Sequence, residues 1–263
     1  MACQTTSTSA LLRARWFEGP AFTQSTKQLS PLTLANTNVT GSIPNTIGNL
    51  SDLSHLDLYN NNIVGAFPTM LYHCRSLWYL RLATNHLRGD LPSDIGHGLT
   101  ANLSMLDLRK NEFTGSVPAS LSMLWQLRYL RLANNLFTGA IPVELGELTS
   151  LHTLWLGNNP FDAGELPTSF KNLTNLVFLW VLNCNLAGNI PSYVVKMTKL
   201  EVLDLSINSL NGSIPQGIWS LKKLRSLSLL RNNLTGDVVV DGYAAKSLTM
   251  IDLSENNLNG TIP

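Results

Sequence analysis

The chain has 263 residues, of which 13% are charged, and its 18 basic residues nearly cancel its 17 acidic ones. Ordinary soluble domains carry roughly 25% charged residues, and nucleic-acid-binding domains concentrate basic residues on one face. We therefore expect no nucleic-acid partner. We also expect no membrane span, because no apolar run approaches the roughly 18 residues that a spanning helix needs.

The first 29 residues show no internal repeat, and Met1 to Pro20 lack the apolar core of a secretory signal. We interpret residues 1–29 as an irregular or degraded N-terminal cap. Repeats are expected to occupy residues 30–263.

A tripeptide of the form Leu-x-Leu, or a close apolar variant of it, recurs along the rest of the chain. Its first residue falls at Leu32, Leu56, Leu80, Leu106, Leu130, Leu154, Leu179, Leu203, Leu227 and Ile251. Successive gaps are 24, 24, 26, 24, 24, 25, 24, 24 and 24 residues. A period in this range predicts an α/β solenoid of about ten stacked units, the last one incomplete.

Each tripeptide has the periodicity of a short strand. Leu56 and Leu58 are expected to point into the core while Asp57, between them, points outward. Stacking the units would place the strands side by side in one parallel sheet.

A polar residue follows the second leucine at a distance of three. It is Thr37 in the first repeat and then Asn61, Asn85, Asn111, Asn135, Asn159, Cys184, Asn208, Asn232 and Asn256. The Asn amide both donates and accepts, so this column is predicted to bond the turn backbone of its own repeat and the neighbouring one. We call the column the Asn ladder and assign it a structural role.

A glycine follows four residues after the ladder position, as at Gly65, and an apolar residue and a proline follow it, as at Phe67-Pro68. The whole unit resembles the plant-specific leucine-rich repeat over about residues 31 to 263. That resemblance implies a right-handed superhelix with its parallel sheet on the concave face.

The sixth and seventh repeats resemble a narrower group. The resemblance is carried by Asn159-Pro160-Phe161, the inserted residue before Leu166-Pro167, Asn172-Leu173-Thr174, Leu179-Trp180 and Cys184-Asn185-Leu186. These two repeats are similar to the ectodomains of HAESA-like receptor kinases. The resemblance implies a secreted peptide or protein ligand on the concave face, a co-receptor kinase as second partner, and a location at the outer face of the plasma membrane or in the apoplast.

Outward-facing strand positions predict where a ligand would bind. Across the third to seventh repeats they form what we call the aromatic groove, whose residues are Tyr79, Arg81, Met105, Asp107, Arg109, Tyr129, Arg131, Trp155, Phe178 and Trp180. Aromatic and Arg residues dominate binding hot spots, and Trp155 and Trp180 are expected to be an exposed pair. An extended peptide would place apolar side chains on the aromatics and carboxylates on the arginines.

Two plainer interpretations of this groove stay open. The alternating charges of Asp57, Arg81, Asp107 and Arg131 would neutralise one another, and the aromatic residues would shield one another without binding anything. The Arg-x-Arg pair that holds the peptide's terminal carboxylate in HAESA relatives does not occur on these strands.

The family's N-terminal cap carries two nearby cysteines, whereas this chain has Cys3, Cys74 and Cys184, for which the sequence suggests no pairing. The last repeat stops at Ile262-Pro263, so any kinase domain is expected to lie outside this chain. Seven Asn-x-Ser/Thr acceptor sites for N-glycosylation occur, at Asn38, Asn49, Asn102, Asn172, Asn211, Asn233 and Asn259.

No catalytic constellation is recognisable. The five histidines have no metal-ligand spacing, and His55 lies near Asp57 without a nucleophile beside it. We expect no enzymatic activity, no metal and no cofactor. The leading hypothesis is the peptide- or protein-binding ectodomain of a plant receptor-like kinase or receptor-like protein that acts in signal transduction. A soluble polygalacturonase-inhibitor-like defence protein and a truncated, non-signalling remnant are the alternatives.

Overall fold

The computed structural model describes residues 29–238 and 247–260. The predicted cap at residues 1–29, apart from its last residue, lies outside the described residues, and so does Cys3 within it. The Ile262-Pro263 end also lies outside them. In chain order the strands are β1 (Leu32–Thr33), β2 (Thr40–Gly41), β3 (His55–Asp57), β4 (Asn62–Gly65), β5 (Tyr79–Arg81), β6 (His86–Asp90), β7 (Met105–Asp107), β8 (Glu112–Thr114), β9 (Tyr129–Arg131), β10 (Thr153–Trp155), β11 (Phe178–Trp180), β12 (Ala187–Asn189), β13 (Val202–Asp204), β14 (Ser209–Gly212), β15 (Ser226–Ser228), β16 (Asn233–Asp237), β17 (Met250–Asp252) and β18 (Asn257–Asn259).

Ten of these strands form one parallel sheet in the order β1-β3-β5-β7-β9-β10-β11-β13-β15-β17. Its register pairs Leu56 with Leu80, Leu80 with Leu106, and so on to Ile251. The insertions in the 26- and 25-residue gaps leave this register unchanged, because Leu154 still pairs with Leu179. The predicted solenoid with a parallel sheet is confirmed.

Short helices form the opposite side of the first eight repeats. Seven 3-10 helices begin directly after a proline, which holds the entering backbone extended, as at Pro44 with ψ 149°. They span Asn45–Asn49, Thr69–His73, Ala119–Met123, Val143–Glu147, Thr168–Asn172, Ser192–Lys196 and Gln216–Ser220. The 26-residue gap instead contains the α-helical turn α1 (Ile95–Gly98).

Two further parallel sheets were not predicted. They have the orders β2-β4-β6-β8 and β12-β14-β16-β18 and run through the regularly spaced glycines. Gly65, with φ +104°, needs glycine's freedom in the left-handed region. Gly164, displaced by the insertion, does not take a positive φ and forms only an isolated bridge to Leu186.

The Asn ladder joins consecutive repeats. Asn135 Nδ2 donates to the Leu108 carbonyl at 3.0 Å and to the Leu132 carbonyl at 2.9 Å, while its Oδ1 accepts the Phe113 N–H at 3.2 Å. The same three bonds recur at Asn61, Asn85, Asn111, Asn159, Asn208, Asn232 and Asn256. Each amide therefore satisfies backbone groups of two repeats.

Cys184 replaces Asn where the inserted residue has changed the neighbouring backbone. In other repeats the Oδ1 of the ladder Asn accepts a backbone N–H from the preceding repeat. The equivalent group here, the Phe161 N–H, donates instead to the Asn159 carbonyl at 2.9 Å. The Cys184 thiol then needs only to donate, and its Sγ lies 3.3 Å from the Leu156 oxygen. The insertion and the cysteine are thus two parts of one local change.

Candidate functional site

The ten residues of the predicted aromatic groove lie on or directly beside five consecutive strands, β5, β7, β9, β10 and β11. Leu80 and the equivalent leucines, including Leu154, are fully buried, whereas Tyr129 and Phe178 are each 36% exposed. The two sets alternate along the strands because successive side chains point to opposite faces. The structure therefore brings the predicted residues onto one face of the ten-stranded sheet.

Asp107 was predicted to line the groove with an outward-facing side chain, but it is buried and 0% exposed. Its carboxylate accepts two bonds of 2.8 Å from Arg109 Nε and Nη2. Arg81 Nε and Arg131 Nη1 lie 3.7 and 3.6 Å from the same Asp107 Oδ2. Asp107 is thus enclosed by three arginines and is not a free acidic group on the surface.

The arginines also lie over aromatic rings. Arg109 and Arg131 place their guanidinium carbons 4.6 Å from the centre of the Trp155 ring, and Arg81 lies 3.8 Å from that of Tyr59. Such cation–π contacts contribute about 0.5–1 kcal/mol each at exposed sites. They add to the ion pairs that hold the arginine side chains against this face.

Trp155 and Trp180 were predicted to be an exposed pair, and this is corrected. The two rings contact edge to face with centroids 5.3 Å apart, and both residues are half-buried. Two arginines lie over the Trp155 ring, whereas within the described residues none lies over the rings of Trp180 and Phe178. These two aromatics on β11 therefore form the uncovered apolar end of the groove.

Five charged residues set the electrostatics of this face. Within the described ranges, the ion pairs of Arg81, Arg109 and Arg131 are with Asp57 and Asp107, and the Arg81–Asp57 contact is 3.5 Å long. The buried Nε atoms of Arg81 and Arg131 have no hydrogen-bond partner within the part of the chain that is described. Three positive and two negative charges leave this cluster with an excess of one positive charge, which favours an anionic group beside it, whereas Asp204 pairs in register with Trp180 at the other end of the groove.

A cleft of about 280 Å³, which we call the side cleft, opens beside the groove. Its lining consists of His55, Trp78, Tyr79, Ser104, Met105, Tyr129 and Arg131. The predicted groove included four of these residues but left out His55, Trp78 and Ser104. Trp78 and Ser104 precede β5 and β7 by one residue, so a search restricted to strand positions does not find them.

Burial changes the titration of groups around the cleft. It lowers the pKa of His55 below its usual value of 6.5, so the imidazole is mainly neutral at neutral pH. It raises the pKa of Tyr79 and lowers the pKa of Arg131. For the pKa of Arg131 the nearby Asp107 acts in the opposite direction.

The acceptor asparagines lie away from the ten-stranded sheet. All seven are exposed, and their positions are on the outer helices, the smaller sheets or the loops beside them: Asn38, Asn49, Asn102, Asn172, Asn211, Asn233 and Asn259. None of the seven is a residue of the aromatic groove or of the side-cleft lining.

Within residues 29–238 and 247–260, no group of three or more His, Cys, Asp or Glu side chains is arranged to hold a metal ion. Among the helices in those same ranges, none has both the length and the apolar character needed to cross a bilayer.

Residues 100–250 match a family described as "Leucine-rich repeat region", and residues 27–87 match one described as "Leucine rich repeat". The chain belongs to the leucine-rich repeat family. This leucine-rich repeat chain is 33% identical to the Arabidopsis HAESA ectodomain solved with an extended IDA peptide hormone, with a TM-score of 0.78 over 88% of this chain and 43% of that one. The predicted resemblance to HAESA is therefore confirmed.

Other relatives show the range of this repeat fold. A second HAESA structure holds IDA together with the co-receptor SERK1, at 29% identity and a TM-score of 0.74 over 89% of this chain and 47% of that one. A plant ice-binding protein has 27% identity and a TM-score of 0.74 over 88% of this chain and 74% of its own. The Arabidopsis receptor-like kinase TMK2 is 49% identical over 41 residues, which are 16% of this chain and 5% of TMK2.

This chain spans less than half the length of the HAESA chains that it matches. Since one fold serves both a hormone receptor and an ice-binding protein, function must be argued from the site.

Proposed function

We propose that this chain is the ligand-binding part of the extracellular domain of a plant receptor-like kinase or receptor-like protein. Its ligand would be an extended, acidic peptide that crosses the strands in the aromatic groove. The observation that carries the proposal is the juxtaposition, across β5 to β11, of exposed aromatic rings with an arginine cluster of net positive charge.

The groove has the composition of a recognition surface. Trp180 and Phe178 form its apolar end, and aromatic side chains lose little conformational entropy when they bind. At the other end, Arg81 and Arg131 lie 3.5–3.7 Å from the two carboxylates, which leaves their donors incompletely satisfied, and their side chains are 25 and 21% exposed. A peptide carboxylate would supply the missing acceptors. The apolar end and the arginine end of the groove would therefore orient the peptide, with its apolar residues over β11 and its acidic residues over β5 to β9.

The comparison with HAESA supports the peptide as ligand class, because HAESA has been solved with IDA and with IDA plus SERK1. By the same analogy, a co-receptor kinase would close over the bound peptide, outside the plasma membrane. Signal output would come from a kinase or partner outside these 263 residues.

The test is a calorimetric titration of the purified chain with a synthetic panel of secreted plant peptides that includes IDA. We expect at least one acidic member to bind, and Trp180→Ala to weaken it by about tenfold or more, as hot-spot residues do. Trp125→Ala is the matched control, because Trp125 is 59% exposed and lies outside the groove. Equal affinity of the Trp180→Ala and wild-type chains would contradict the proposal.

Two other results would favour the alternatives. Capture of a polygalacturonase with no peptide binding would indicate a soluble inhibitor. Aggregation and rapid proteolysis of the expressed chain would indicate a remnant, whereas a sharp cooperative melt would count against one.

A further inference from the structure

The side cleft has walls built for an apolar group. His55 stacks on Tyr79 with centroids 4.0 Å apart and planes 9° apart, and Trp78 packs edge-on against both rings at 5.8 and 5.7 Å. Trp78 is nevertheless 47% exposed. These contacts hold the aromatic walls in place while leaving one of them open to solvent.

The size of the cleft limits what it can hold. About 280 Å³ is below the range of roughly 300–1,000 Å³ that is typical of sites for drug-sized molecules. It is ample for one large side chain. The cleft therefore suits a single residue of a longer ligand.

Arg131 gives the cleft a charged end. Its nearest carboxylate oxygen, Asp107 Oδ2, is 3.6 Å away and also contacts Arg81 and Arg109. This contact is longer than a hydrogen bond, and the Arg131 side chain is 21% exposed. Arg131 therefore keeps donor capacity and incompletely compensated charge at the side of the cleft.

The cleft is continuous with the aromatic groove. Tyr79, Met105, Tyr129 and Arg131 belong to both. The Arg131 guanidinium lies 4.6 Å from the Trp155 ring centre and 5.6 Å from that of Tyr129. A peptide in the groove would pass directly over the mouth of the cleft.

We propose that the side cleft is a specificity subsite that takes one large apolar side chain, Leu- to Trp-sized, from a residue that carries or adjoins a carboxylate paired with Arg131. This inference rests on the proposed function, because the occupant would be part of the same acidic peptide. It adds a sequence requirement: a bulky apolar residue immediately beside a negative charge.

The test uses small molecules too short to span the groove. Dissociation constants of N-acetyl-phenylalanine, N-acetyl-phenylalaninamide and N-acetylglycine would be measured by ligand-observed NMR titration on the full chain. We expect N-acetyl-phenylalanine to bind in the millimolar range, its amide about fivefold more weakly because the Arg131 pair is lost, and N-acetylglycine not measurably. Failure of peptide binding in the groove would leave this result unaffected, so the two proposals fail separately.

Variants assign the binding to the cleft. Trp78→Ala should abolish binding of both phenylalanine compounds, whereas Arg131→Gln should remove the preference for the acid and retain the amide. Trp125→Ala should change neither, and circular dichroism would verify that each variant folds. Absence of binding by the wild-type chain, binding that survives Trp78→Ala, or an acid preference that survives Arg131→Gln would overturn the inference.

A further pair of compounds identifies the source of the carboxylate. N-acetyl-phenylalanine offers a chain-terminal carboxylate, and N-acetyl-Asp-Phe-amide offers only a side-chain one. Tighter binding of the first would mean that the cleft takes the end of a peptide, and tighter binding of the second that it takes an internal acidic segment.

Discussion

Replacing Asp107 by Asn should lower the stability of the chain far more than the similar shape of the two side chains suggests. The carboxylate is 0% exposed and receives two 2.8 Å bonds from Arg109, while Arg81 and Arg131 approach the same oxygen. The substituted amide would keep one acceptor oxygen but present an N–H group to a guanidinium. Three arginines would then face each other across neighbouring strands with only Asp57 as counter-charge.

The magnitude follows from the burial of both partners. A hydrogen bond to a charged group contributes about 1.5–3 kcal/mol, and breaking a buried ion pair costs about 3–5 kcal/mol. The three arginine side chains are 25, 21 and 21% exposed, so water recovers part of that cost. We expect Asp107→Asn to lower the free energy of unfolding by about 3 kcal/mol.

Asp57→Asn is the matched control. Asp57 contacts one arginine at 3.5 Å, and its bond from the Tyr59 N–H at 2.9 Å would survive the change. Its side chain is 11% exposed, but it loses only this one long contact, so its expected cost is about 1.5 kcal/mol, roughly half that of Asp107→Asn. Urea unfolding followed by circular dichroism measures both variants, and equal losses for the two would refute the claim that Asp107 organises the cluster.

Four other predictions follow from the same structure. Asn135→Ala should cost about 3 kcal/mol in urea unfolding, because three buried backbone groups lose their partner. Ile207→Asn should stabilise the chain by about 1 kcal/mol, because a β-branched residue at φ 54° is strained; an unchanged midpoint would contradict this. The pKa values of Cys74 and Cys184, raised to about 11 and 12 by burial, should leave both thiols unlabelled by iodoacetamide at pH 8 until the chain unfolds, as peptide mapping can verify. His55 should titrate in an NMR experiment with a pKa below 6.5. Because the unfolded chain then binds more protons than the folded one, the contribution of His55 to the free energy of unfolding should be fully present above pH 6.5 and be lost as the pH falls toward the pKa of His55 in the folded chain.

The solenoid and the register of its main sheet could be predicted because one period repeats ten times. The inner tripeptides, from Leu56 to Leu229, bury both of their apolar residues, so an error of one residue would expose a whole column. The two smaller sheets escaped prediction, since their glycine-containing strands lack a regular alternation. Residues before the ladder positions, such as Thr84 and Ile207, take positive φ that their identities do not suggest.

The site was predictable as a set of columns but not as a set of contacts. Register places Arg81, Asp107 and Arg131 side by side. The register does not show which carboxylate the three arginines share, because that depends on side-chain conformations. In the structure they share Asp107, which is buried although the sequence pattern indicated an outward-facing side chain. The side cleft combines positions from different columns, such as His55 and Trp78, so no single column reveals it.

The location of a bound peptide tests the central claim most directly. A captured acidic peptide carrying a photo-crosslinking residue at successive positions would be irradiated on the chain and the adducts mapped by mass spectrometry. We expect adducts on β9 to β11, at residues such as Tyr129, Phe178 and Trp180, with an acidic end near Arg81 and Arg131. Adducts confined to the 3-10 helices or to the two smaller sheets would contradict the account.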